Sequence, residues 1–176
     1  MTENNWTIWF TGRHGSGKST IAKGLMEELR KRRIPAVLLD GGDIRKNISP
    51  DLGYSLEERR EHMKRVAGVC KLISQSSILT VAAVASLTEE SRKHAREKIG
   101  RMFLVYLRCS LDACEKRDVK GMYKKARSGE IKEFTGISDP YEAPKYPDVE
   151  LHTDTETVQE GAEKIVSVLK EKRLIS

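Results

Sequence analysis

The segment Gly12-Arg13-His14-Gly15-Ser16-Gly17-Lys18-Ser19-Thr20 carries the pattern G-x-x-x-x-G-K-[ST]. Its chemistry is phosphate binding. Glycines let the backbone wrap an anion with several N–H groups pointing inward. Lys18 would set a positive charge against the β- and γ-phosphates, and the Ser19 hydroxyl would offer an oxygen to Mg²⁺. A helix starting here would add the positive end of its dipole. By average residue usage, a chance match in a chain of this length has a probability of about 1% or less. Nucleotide binding therefore outweighs the alternative of a degenerate loop. ATP and Mg²⁺ are the expected cofactors, held by Gly12, Gly15, Ser16, Gly17, Lys18, Ser19 and Thr20. Arg13 and His14 fill variable positions of the pattern and are expected to be solvated.

These residues need a frame, and the hydropathy pattern supplies one. Thr7–Phe10 is a short apolar run that reads as a first strand. Ser19–Arg32 repeats apolar residues at helical spacing (Ile21, Ala22, Leu25, Met26, Leu29) and ends before Pro35. Ala36–Leu39 reads as a second strand, Leu56–Ser74 as a long helix, Ile78–Ala85 as a buried central strand, Phe103–Leu107 as a further strand and Glu156–Lys172 as a terminal helix. Alternating strands and helices predict an α/β fold, a doubly wound parallel sheet flanked by helices, in one domain over 1–176. Ligands of such sheets lie outside the carboxyl ends of the strands. Gly12–Thr20, Asp40–Arg45 and Ser86–Glu90 follow three of the predicted strands. The stretch Arg117–Tyr146 breaks the pattern. It is basic and punctuated by Gly121, Gly129, Gly136, Pro140 and Pro144, and is expected to be a mobile lid or binding loop.

The bulk composition narrows the classes. With 176 residues, 38% hydrophobic and 33% charged, the chain matches an ordinary globular enzyme. A net charge of +6 suits an anionic ligand, a nucleotide or a nucleic acid, or simply a solvated lysine-rich surface. Most of the clustered charge lies in the lid, which favours a nucleotide over a nucleic acid. Cys70, Cys109 and Cys114 form no C-x-x-C pair, and their odd number predicts reduced thiols and a cytoplasmic setting. The polar opening lacks the apolar run of a signal peptide, and no stretch is apolar enough to span a membrane.

From Trp9 to Leu169 the chain resembles the adenylylsulfate kinases, P-loop kinases that phosphorylate the 3′-hydroxyl of adenosine 5′-phosphosulfate. The most specific part is the run from Arg117-Asp118-Val119-Lys120-Gly121 to Glu133-Phe134-Thr135-Gly136-Ile137, followed by Asp139-Pro140-Tyr141-Glu142-Ala143-Pro144. The resemblance implies a P-loop NTPase fold and a small-molecule acceptor, with no nucleic acid or membrane partner and a homodimer as an open option. It implies that Tyr54, in Leu52-Gly53-Tyr54, and Phe134 clamp the acceptor's adenine. Arg45 and Arg59 would bind its anionic end, with Lys120 closing over the same region. A guanidinium fork suits a phosphosulfate. The alternative for Tyr54 and Phe134 is ordinary core packing.

The chain departs from this family on the acceptor side. The family's Asp-Gly-Asp becomes Asp40-Gly41-Gly42-Asp43, so one carboxylate falls on Gly42 and another appears a residue later. Asp40 would hold Mg²⁺ through water or orient the acceptor. Asp43 could replace the missing carboxylate if the two glycines re-aim the backbone. Ser-Pro-Tyr-Arg becomes Ser86-Leu87-Thr88-Glu89. The resemblance implies a phosphoserine intermediate at Ser86, but direct in-line transfer needs no covalent step and no base stands next to it. A helix N-cap or an acceptor hydrogen bond is the simpler role. A family asparagine becomes His62. The expected reaction is ATP-dependent 3′-phosphorylation of adenosine 5′-phosphosulfate, with Lys18, Asp40, Asp43 and Ser86 as the candidate catalytic groups. Two alternatives stay open: a kinase for another activated nucleotide, and a nucleotide-binding regulatory module with little turnover.

Overall fold

The computed structural model describes residues 5–118, 120–132, 134, 137 and 141–175. Of the basic stretch, 119, 133, 135–136 and 138–140 therefore lie outside the described residues, as does the opening 1–4. Five strands form one sheet: β1 (Thr7–Thr11), β2 (Ala36–Asp40), β3 (Leu79–Ala83), β4 (Met102–Arg108) and β5 (Val149–His152). Their order is β2-β3-β1-β4-β5, and every neighbouring pair is parallel. Parallel neighbours need long crossovers. These are carried by α1 (Lys18–Lys31), α2 (Gly41–Ile48), α3 (Leu56–Ser74), α4 (Glu89–Ile99), α5 (Leu111–Arg117) and α6 (Met122–Arg127), and α7 (Val158–Glu171) follows the last strand.

Side chains of a strand alternate between faces, so a sheet covered on both sides must be apolar at every position. Ile8, Phe10, Val81, Val105 and Leu151 face α1 and α7, where they meet Leu25, Leu29, Ile165 and Leu169. Trp9, Ala82, Val84, Met102 and Leu104 face the other way, against Ile44, Met63, Val66, Cys70, Ala95 and Ile99 of α2, α3 and α4. A third, smaller cluster of Cys109, Cys114, Tyr123, Ala126 and Phe134 forms under the basic stretch. No helix among the described residues is long and apolar enough to cross a membrane.

The doubly wound parallel sheet and the expected elements are present, with ends shifted by one or two residues. Five elements were not expected: α2, α4, α5, α6 and β5. α2 opens with two glycines, which are poor helix formers. It forms because Asp40 caps it, accepting from the Gly42 N–H at 3.0 Å, and because Ile44 is buried. α4 presents only Arg92, Ala95 and Ile99 to the core, too few to show a period. β5 is four residues long, with Val149 and Leu151 buried. Within the basic stretch, α6 is a six-residue helix in place of loop. The cap of α4 is Thr88, which accepts from the Ser91 N–H at 3.2 Å, so Ser86 is not a helix cap.

Candidate active site at the carboxyl ends of the strands

The phosphate loop runs from the end of β1 into α1, as a parallel sheet requires. Gly15 has φ +74°, and a Cβ there would lie 2.9 Å from the Cys114 carbonyl oxygen. Gly17 caps α1 with φ +94°. Both conformations favour glycine. The loop is held from behind. Thr153, just past β5, donates to the Ser16 carbonyl at 2.8 Å, and the Tyr123 hydroxyl donates to the His14 carbonyl at 2.7 Å. The Ser16 hydroxyl is buried with no hydrogen-bond partner among the described residues.

Lys18 Nζ folds back onto its own loop, donating to the Gly12 carbonyl at 2.8 Å and the Arg13 carbonyl at 2.6 Å. Burial, with a contribution from the Lys120 charge, lowers its pKa to about 8. Two loop carbonyls thus stand where phosphate oxygens would be better acceptors for an ammonium. Ser19 is exposed at the head of α1, and its hydroxyl donates to Asp40 Oδ2 across the gap to β2. Asp40 thus turns one oxygen to Ser19 and the other to the first turn of α2. This oxygen pair, beside a loop shaped for phosphates, fits a hard cation such as Mg²⁺, which usually takes one or two protein oxygens and completes its shell with water and substrate. Thr20 is exposed beside Ser19.

Gly41 and Gly42 have helical backbones and neither has positive φ. The expectation that they would re-aim Asp43 is not met: α2 begins at Gly41, and its hydrogen bonding leaves no extra backbone freedom. Asp43 sits exposed in the first turn. A Cβ on Gly42 would lie 3.3 Å from Asp40 Oδ1 and 3.8 Å from Lys120 Nζ. The ammonium of Lys120 therefore overhangs the position that lacks a carboxylate.

Arg45, Tyr54 and Arg59 come together. Arg45 lies over the Tyr54 ring at 4.6 Å and donates to the Gly53 carbonyl at 2.6 Å. Arg59 lies 5.6 Å from the same ring and donates through Nε to the Tyr54 carbonyl at 2.6 Å. The ring is 52% exposed, so core packing does not explain it. Phe134 is different. It is 3% exposed, edge-on to Tyr123 at 4.9 Å and to His14 at 5.6 Å. In this conformation it is packed into the third cluster and presents no open face.

Four further expectations change. Ser86 is fully buried, its hydroxyl accepting from Trp9 Nε1 at 3.0 Å and donating to Thr11 at 3.0 Å, so it lies beneath the crevice. His62 is buried and bonded to the Ser49 hydroxyl at 2.9 Å, and burial lowers its pKa to about 4. His14 is packed against aromatic rings rather than solvated, and burial with the Lys18 charge lowers its pKa to about 4. Arg13 is likewise engaged, donating to the Cys109 carbonyl at 3.2 Å and lying over the Tyr141 ring at 5.5 Å. Sequence reasoning missed Tyr123, Tyr141 and Thr153. The two tyrosines are apolar interruptions of a basic stretch. Thr153 follows the unrecognised β5, at the strand end where the carboxyl-end rule would have found it.

The chain is similar in sequence and fold to known proteins. A family model described as adenylylsulphate kinase matches residues 4–152. An adenylyl-sulfate kinase of Halothermothrix orenii is 46% identical over 170 residues, which is 97% of this chain and 92% of that protein. One from Gloeothece citriformis is 44% identical over 169 residues, 96% of each chain. Among solved structures, the Mycobacterium tuberculosis APS kinase CysC in complex with AMPPNP and APS superposes with a TM-score of 0.90 at 38% identity, over 94% of this chain and 97% of that one.

Proposed function

The chain belongs to the adenylylsulphate kinase family, and from that premise we propose how its residues share the work. It transfers the γ-phosphate of ATP to the 3′-hydroxyl of adenosine 5′-phosphosulfate, giving 3′-phosphoadenosine 5′-phosphosulfate and ADP. The observation that carries the assignment of roles is the juxtaposition of a phosphate loop, with Ser19 hydrogen-bonded to Asp40, and the Arg45–Tyr54–Arg59 group.

The backbone N–H groups of the loop bind the β- and γ-phosphates of ATP. Lys18 gives up its two loop carbonyls and neutralises charge on the transferred group, where stabilisation matters most. Ser19 and Asp40 are the residues that would hold Mg²⁺. When bound, the ion neutralises charge on the phosphate oxygens. The acceptor's anionic end meets Arg45 and Arg59, its base stacks on the exposed face of Tyr54, and Lys120 approaches from above. In the reaction the 3′ oxygen bonds to the γ-phosphorus as the bond to the bridging oxygen breaks, its electron pair leaving with ADP and the hydroxyl proton passing to a phosphate oxygen and on to water. The transition state is loose, so positioning and charge contribute more than a strong base. That is compatible with Gly42, an exposed Asp43 and a buried Ser86. Three buried free cysteines suit a reducing compartment such as the cytoplasm.

The gap at Gly42 motivates the second reading, an acceptor other than adenosine 5′-phosphosulfate. A coupled assay of ADP release distinguishes them. Release that depends on adenosine 5′-phosphosulfate is expected. Release only with another nucleotide would support the second reading, and nucleotide binding without release would overturn both.

A further inference from the structure

Arg92 is a cation 1% exposed, on α4. Each of its three guanidinium nitrogens donates a hydrogen bond. Nη1 donates to the Ser86 carbonyl at 2.8 Å, Nη2 to the Glu142 carbonyl at 2.6 Å, and Nη2 and Nε to Glu89 Oε2 at 2.8 and 3.2 Å. The same chain segments are bonded again around it. Glu142 donates its N–H to the Leu87 carbonyl at 2.9 Å, and its carboxylate accepts from the Glu89 N–H at 2.7 Å. Tyr141 lies next to this knot. Its ring has Arg92 at 6.0 Å and Arg13, of the phosphate loop, at 5.5 Å. Its hydroxyl bonds to Thr11 at 3.1 Å, and Thr11 in turn donates to the Ser86 carbonyl at 3.0 Å.

We infer that Arg92 is a positioning residue of the phosphotransfer site: it fastens the segment at Tyr141–Glu142, where the basic stretch returns to the sheet, to the exit of β3 and, through Tyr141, to the phosphate loop. A planar fork with five donors can satisfy three acceptors at once, and an ammonium cannot match that geometry. The knot sets the exit of β3, which borders the start of α2 (a Cβ on Gly41 would lie 3.1 Å from the Ala83 carbonyl oxygen) and so the helix that carries Arg45, without touching a substrate. Loosening it leaves the loop's own N–H groups in place. Nucleotide binding is therefore spared, while acceptor placement and turnover suffer, since small misplacements of reacting groups slow transfer severely.

The inference rests on the kinase reading, and the test separates the two. Steady-state kinetics on Arg92→Lys, Tyr141→Leu, Tyr141→Phe and the Arg92→Lys/Tyr141→Leu pair are run with ATP and with adenosine 5′-phosphosulfate varied in turn. Arg92→Lys and Tyr141→Leu should each lower kcat and raise the acceptor KM about tenfold, with the ATP KM within about threefold. Tyr141→Phe keeps the ring between the two guanidinium groups and should stay within about threefold. The double variant should be little worse than the poorer single one, because both cut one tie. Amide exchange of Glu142, followed with ATP alone, should quicken about tenfold in Arg92→Lys. Near-normal kinetics in Arg92→Lys, equal rises in both KM values, fully multiplicative losses, or unchanged exchange at Glu142 would overturn the inference. If Arg92→Lys does not fold, Tyr141→Leu against Tyr141→Phe decides, and equal behaviour of the two overturns it. If the wild type shows no acceptor-dependent ADP release, the acceptor reading fails while the exchange measurement still decides the tie.

Discussion

Single residues in this site are held by partners that set their chemistry. Lys18 is the clearest case. Burial lowers its pKa to about 8 in the free protein, so the phosphate-binding ammonium is present below pH 8 and lost as pH rises through that value. ATP affinity measured by calorimetry should be highest below pH 8 and weaken steadily toward pH 9.5. A flat profile would place the ammonium elsewhere. Asp43 lies exposed one position beyond the missing carboxylate. Asp43→Asn should change kcat less than about threefold, and should cost under about 1 kcal/mol through the helix dipole. A hundredfold loss would instead make it the base. Arg59 stands over Tyr54, hydrogen-bonded to that residue's carbonyl. Arg59→Ala should weaken acceptor binding by about tenfold to a hundredfold, the equivalent of about 1.5–3 kcal/mol for a charged hydrogen bond. ATP affinity should hardly move, and equal losses for both ligands in titration would contradict the assignment.

At the scale of elements, the termini of helices build the acceptor side. α3 begins with a capping box in which Ser55 and Glu58 satisfy each other's backbone N–H groups, and Glu58 also accepts from the Gly53 N–H at 2.8 Å. Tyr54 lies between those two anchored residues, so the cap fixes the ring that Arg45 and Arg59 flank. Ser55→Ala should cost about 1 kcal/mol and lower Tm by roughly 2–4 °C for a domain of this size. It should also raise the acceptor KM with kcat little changed. A normal KM in a variant with the expected Tm loss would separate the cap from the site. This cap is legible in the residues, since Ser followed three places later by Glu is its signature. The knot at Arg92 is not, because its acceptors are carbonyls of residues 6 and 50 positions away.

For the molecule as a whole, two neutral histidines tie distant parts together and make the fold sensitive to acid. His62 joins α3 to Ser49 beyond α2, and His14 joins the phosphate loop to Tyr123 and Phe134. Burial lowers both to about 4, well below the ordinary histidine value of 6.5. Between pH 6.5 and 4 the unfolded chain then binds more protons than the folded one, so stability falls as pH drops through that range. Thermal melts from pH 7.5 to 4.5 should show a falling Tm, and His62→Gln should flatten the slope. The lowered carboxylates, Asp51 and Glu58 among them, lose their contribution only below the ordinary carboxylate range, so the histidines dominate above about pH 4.5. An unchanged slope in His62→Gln would remove His62 from the account.

The residues alone were enough for the phosphate loop, the parallel sheet and the family. A loop that cradles phosphate needs glycines and a lysine at set spacing, and a sheet covered on both faces needs unbroken apolar strands. Both demands are local, so they are written in consecutive residues. What the sequence left open was decided by contacts between distant segments. Two glycines became the start of α2 because Ile44 is buried with Trp9, Met63 and Val66, far along the chain, while Asp40 just before them supplies the cap. Ser86 lies buried because Trp9 and Thr11 of β1 claim its hydroxyl from 77 and 75 positions away. Tyr54 stays exposed while Phe134 is enclosed. The two aromatic side chains offer similar surfaces, and only the packing of α5, α6 and the phosphate loop around one of them distinguishes their surroundings.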